Sequence, residues 1–84
     1  MTLLLLYYYI IIIDMDRFIR VDGRQLRKLR RQRALSQEDL VRMTSVAQAT
    51  LSDLELGKRG ARASTVRKLA EALGVDPMEL MKEE

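Results

Sequence analysis

From Val21 onward the apolar positions recur every three or four residues, the period of a helix with one buried face. Leu26, Leu29 and Arg33 share such a face, with Ile19 and Val21 joining the core before them. They predict a first helix from about Gly23 to Gln32. Ser36, with Asp39 three positions on, reads as a capping box in which hydroxyl and carboxylate each take one orphan amide. The second helix begins there, turns Leu40, Val41 and Thr44 inward, and stops near Ser45. A third runs over about 48–56, with Leu51 and Leu54 inward, Ala47 at the capping position and Gly57 in a left-handed exit. Ser64 caps a fourth, whose stripe of Val66, Leu69, Ala70 and Leu73 ends at Gly74. Asp76 followed by Pro77 opens a fifth, since proline at the first helical position loses no hydrogen bond. Val75, Met78, Leu80 and Met81 close the core from that side, and the leucine and methionine positions read as core throughout. No strand pattern follows Val21, so the predicted fold class is an all-α bundle of five helices.

The beginning of the chain follows no such period. Thr2 to Asp14 reads TLLLLYYYIIIID, with eleven apolar or aromatic residues in homopolymeric runs from Leu3 to Ile13. A membrane span needs about 20 such residues, so no membrane partner is expected. MT before and DMD after supply neither the basic start nor the cleavage site of a signal peptide. Tyr and Ile favour an extended strand, and an uncharged run of this kind aggregates when exposed. Three readings stay open: a strand paired with its copy in a second chain, an apolar flap over the domain, or a dispensable or artefactual leader. The last rests on Leu, Tyr and Ile all having A/T-only codons and on Met15 as an alternative start. The chain thus divides into a leader, 1–14, and a domain, 15–84.

Composition narrows the function. An 84-residue chain builds one small core. It holds no Cys and no His, which removes thiolate metal sites and the commonest general base and metal ligand. No Gly-rich phosphate loop or paired-carboxylate motif offsets this. An enzyme is therefore not expected, nor a cofactor, a metal or a small-molecule substrate. The net charge of +3 is modest but unevenly placed. Arg17 to Arg33 holds eight basic residues against the single acid Asp22, and Lys58 to Lys68 holds five with no acid. Such blocks suit an anion-binding surface or a solvated helix face equally well. Arg27, Lys28 and Arg31 stay open between those two.

The link between the second and third helices decides more. Only Ser45, Val46 and Ala47 separate Thr44 from Gln48, enough for a tight turn setting two helices at a steep angle, with Val46 buried beneath it. With Leu51 and Leu54 inward, Gln48, Ala49, Ser52 and Asp53 face out. Short polar side chains fit a major groove about 12 Å wide, and Gln can pair bidentately with adenine. LSQEDLVRMTSVAQATLSDLELGKRG followed by TVRKLAEALGV resembles the lambda-repressor-like (Cro/XRE) helix-turn-helix family over roughly Gly23 to Leu80. The SQEDL start, the TLSDLELGKR end of the third helix and LAEALGV carry the likeness together.

The resemblance implies a five-helix fold whose third helix reads bases, and a cytoplasmic transcriptional repressor that binds double-stranded DNA as a homodimer. It places Gln48, Ala49, Thr50, Ser52 and Asp53 at base edges or the adjoining backbone. Gln37, Lys58, Arg59 and Arg62 fall at phosphates, and Arg30 with Glu55 at a structural ion pair. Departures accompany it: Ser45 stands where the family has a turn glycine, Ala47 where it has a capping hydroxyl, Asp53 where it often has a basic or amide residue, and Leu56 where it is usually polar. Asp53, Leu56 and the sticky leader give the alternative its footing, a protein-interaction module such as an antitoxin-like partner-binding protein.

Overall fold

The computed structural model describes residues 2–16 and 18–83, with side chains described for 2–10 and 18–83. Helix α1 spans Thr2–Asp16, and β1 spans Phe18–Ile19. Helices α2 (Gly23–Gln32), α3 (Gln37–Thr44) and α4 (Gln48–Glu55) follow, then β2 (Ala61–Arg62), α5 (Ala63–Leu73) and one 3-10 turn at Pro77–Leu80. The five helical segments expected after Val21 are all present. The third expected helix is α4.

Three of the starts have a capping side chain. The Asp22 carboxylate accepts the Gln25 amide at 3.1 Å ahead of α2. Ser36 and Asp39 form the reciprocal box of α3, at 3.0 and 2.9 Å. Asp76 caps the final turn through the Met78 amide at 2.9 Å. Gly57, with φ +74°, makes the left-handed exit from α4.

Leu26, Leu40, Leu51, Leu54, Val66, Leu69, Leu73 and Leu80 are fully buried at the centre, each burial contributing about 1.5–3 kcal/mol. Ile19, Val41, Val75 and Met81 pack half-buried around them.

Several expectations are corrected. The leader is a helix, not a strand: a helix closes its hydrogen bonds within itself, whereas a strand needs a partner, and none is described beside it. Nor is it a flap, since Leu3 to Ile10 remain 54–82% exposed. One short strand does occur after Val21, β2, which runs antiparallel to β1 with Ile19 opposite Ala61, and Val21 itself bridges Met81. That ladder carries the chain straight into α5, so extended Arg62 is the N-cap and Ser64 lies inside the first turn. On α2 the buried face is Leu26, Leu29 and Arg30, one helical patch, while Arg33 is exposed. Met43 and Met78 are 54% and 75% exposed, so of Met43, Met78 and Met81 only the last packs against the core.

Candidate nucleic-acid interface

The turn between α3 and α4 is built from three contacts. Ser45 takes a left-handed conformation, φ 60° and ψ 19°, and its amide donates to the Val41 carbonyl at 2.7 Å. The Thr44 hydroxyl donates to the Leu40 carbonyl at 2.6 Å and accepts from the Val46 amide at 3.2 Å. Val46 is buried beneath them. A left-handed residue with a Cβ is strained by about 1 kcal/mol or more, and here the strain sets the entry angle of α4.

With Leu51 and Leu54 fully buried, α4 turns Gln48 and Ala49 to solvent, and Thr50, Ser52 and Asp53 lie half-exposed at its flanks. Ala47 supplies no side-chain cap. The amides of the first turn are left for solvent or an anion.

At the far end of α4, Glu55 is held on several sides. Arg30 Nε donates to Oε2 at 2.7 Å, Arg30 Nη2 to Oε1 at 2.9 Å, and Gln37 Nε2 to Oε1 at 3.3 Å. Arg30 Nη1 completes the set on the Leu35 carbonyl at 2.8 Å. Burial pushes the Glu55 carboxyl up, but the hydrogen bonds from Arg30 and Gln37, with the charges of Arg30 and Arg27, outweigh it and hold the group below its usual range. The same pairing raises Arg30, against a smaller opposing effect of burial. Gly23 permits this geometry. A Cβ there would collide with the Leu54 and Glu55 carbonyls, so α2 lies directly across the end of α4.

Beside the start of α4 lies an open cleft of about 250 Å³. Thr50, Arg59 and Arg62 line it together with Thr65 and Lys68 of α5. Lys58 and Arg59 also border a second recess with Arg20 and Lys82. The structure therefore gathers Thr50, Arg59 and Arg62 at one end of α4 and puts Gln37 with Glu55 at the other. Sequence reasoning missed Thr65, Lys68, Arg20 and Lys82 as neighbours of this surface. Lys68 lay in the second basic block, but Arg20 and Lys82 meet through a strand-like hydrogen bond, the Lys82 amide donating to the Arg20 carbonyl at 2.9 Å, which no local pattern signals. Among the described residues no cluster of His, Cys, Asp or Glu could hold a metal.

The helix-turn-helix domain family matches residues 23–84. The chain is 43% identical over 60 residues to an uncharacterized HTH-type transcriptional regulator, RghRB, of Bacillus subtilis, covering 70% of this chain and 43% of that protein. It is 39% identical over 59 residues to the HTH-type regulator y4dJ of Sinorhizobium fredii, covering 70% of this chain and 77% of that one. The HTH-type transcriptional repressor RghR of B. subtilis is 44% identical over 54 residues, 63% of this chain and 40% of its own length. The chain thus spans less than half the length of the two Bacillus relatives. Among solved structures, the restriction-modification controller protein C.AhdI of Aeromonas hydrophila matches with a TM-score of 0.66 and 36% identity, over 70% of this chain and 89% of that one. With the short turn, the outward α4 face and the Arg30–Glu55 pair already in place, these matches establish that the chain belongs to the helix-turn-helix family, as a lambda-repressor-like domain of the Cro/XRE type.

Proposed function

We propose that this chain is a sequence-specific transcriptional regulator, a repressor, that binds double-stranded DNA as a homodimer in the cytoplasm. One observation carries the reading: α4 presents a small, polar outer face between two grips suited to phosphate. Relatives named as regulators and a repressor, and a structural neighbour named as a controller protein, support it.

In this reading α4 enters the major groove. Gln48 leads, its amide able to donate and accept on one adenine, with Ala49, Thr50, Ser52 and Asp53 against neighbouring edges or the adjoining backbone. The Asp53 carboxylate accepts from a cytosine amine and repels phosphate, so it restricts which bases are tolerated. Gln37 uses one amide hydrogen on Glu55 and keeps the second for a phosphate. Lys58, Arg59 and Arg62 hold the backbone on the other side and set the register, as phosphate contacts do.

One half-site gives a small domain only a weak hold, so two copies act together. Their contact is the face bearing exposed Phe18 and Met78, which rim an open groove floored by Ile19, Ala63, Val66 and Met81. The partner-binding alternative keeps the 61% exposure of Leu56 and the exposed apolar leader.

Selection from a random duplex library separates the roles. Gln48→Ala is expected to relax base preference at one position per half-site, at about 1–3 kcal/mol of lost discrimination. Arg59→Ala is expected to weaken binding to every sequence alike. If both variants bind as the parent chain does, α4 is not the reading element.

A further inference from the structure

The outer face of α2 has no role in the mechanism above, yet it gathers four cations. Arg24, Arg27, Lys28 and Arg31 are all exposed and line one shallow trough along the helix. Their spacing of three, four and seven places them on one face. No acid lies between Asp22 and Glu38. Among the described residues none of the four side chains makes a hydrogen bond or an ion pair, and the charge of Arg27 acts on Glu55. Like charges three and four apart on a helix repel, so this face is destabilised until an anion covers it.

Position identifies the anion. The Gly23 contact lays α2 across the end of α4, and Arg27 stands one helical turn before Arg30, which binds Glu55. Glu55 in turn holds Gln37, the residue assigned to a phosphate at the start of α3. The stripe therefore starts where that grip stops. From Arg24 to Arg31 it runs about 10 Å at 1.5 Å per residue. One DNA strand carries a phosphate about every 3.4 Å along the duplex axis, so roughly three fit along that length.

We infer that the Arg24–Arg27–Lys28–Arg31 face of α2 is a second phosphate-binding surface, which holds the DNA backbone flanking the half-site on the Gln37 side. This rests on the DNA-binding reading and adds to it: the footprint is longer than α4 and its two grips account for, and the added contacts are blind to sequence.

The test compares the full chain with two paired variants, Arg24→Gln/Arg27→Gln and Lys28→Gln/Arg31→Gln, and with the fourfold combination. All four positions are exposed, and circular dichroism checks that each variant stays helical. Affinity for a duplex selected from a random pool is measured across a salt series, with hydroxyl-radical footprinting alongside. Neutralising all four is expected to make the slope of log K against log salt shallower by about 3, at about 0.9 per phosphate released. Each pair is expected to give about half of that, with protection lost at flanking phosphates only and base preference unchanged. Salt-dependent binding by the full chain, with the same slope and footprint in the variants, would overturn the second surface and leave the DNA-binding reading standing. Absence of salt-dependent binding by the full chain itself would overturn both.

Discussion

Glu55 shows how one residue joins stability to function. Its carboxylate fastens α2 to the end of α4 through Arg30 and orients Gln37, so loss of its charge loosens two elements at once. Breaking a buried ion pair costs about 3–5 kcal/mol by leaving one charge unpaired, and at this partly covered site roughly 2–3 is expected for Glu55→Gln at pH 7. The pH dependence has a definite sign. The folded-state value lies below the ordinary 4.5, so the pair's contribution is complete above that value and is lost as pH falls through the depressed one. Urea titrations of parent and Glu55→Gln should therefore differ at pH 7 and converge as pH falls below the depressed value. A gap that stays constant with pH would mean the stabilisation is packing rather than charge. In the sequence this pair is 25 residues apart and invisible to periodicity. It was legible only through the family resemblance, whereas the outward face of Gln48 followed from Leu51 and Leu54 turning inward.

Among elements, those written in periodic and capping patterns were legible. The bounds of α2, the capping box of α3 and the stop of α5 at Gly74 follow from short-range chemistry, which a single sequence displays. The β1–β2 ladder is two residues on each strand and is created by the approach of distant segments, so nothing local announced it. It also moved the N-cap of α5 from Ser64 to Arg62. The turn before α4 was legible in length but not in cost. Ser45 and Ala34 both hold positive φ, 60° and 53°, with a Cβ in place. Ser45→Gly relieves that strain while adding unfolded-state freedom, and a net gain of about 0.5–1 kcal/mol is expected in chemical denaturation. A destabilised variant would show that the Ser45 side chain contributes something the turn geometry does not.

For the whole molecule, charge and apolar surface are partly segregated. Cations border α4 and cover the outer face of α2, while exposed apolar side chains run along α1, and the groove at Phe18 and Met78 mixes them with Arg20, Arg67 and Lys82. Among the described residues no helix is long and apolar enough to cross a membrane. The helical state of the leader was illegible because a homopolymeric apolar run satisfies helix and strand alike, and only the absence of a pairing edge decides between them. The central claim, that the cationic surface around α4 holds DNA, is tested most directly by a fluorescence-anisotropy titration of the full chain against mixed-sequence labelled duplex over a salt series. The account predicts binding that weakens linearly in log salt, with a slope of several times about −0.9, and that Arg59→Ala makes shallower by about one contact. No binding at low salt by a folded, helical protein, or binding indifferent to salt, would contradict it.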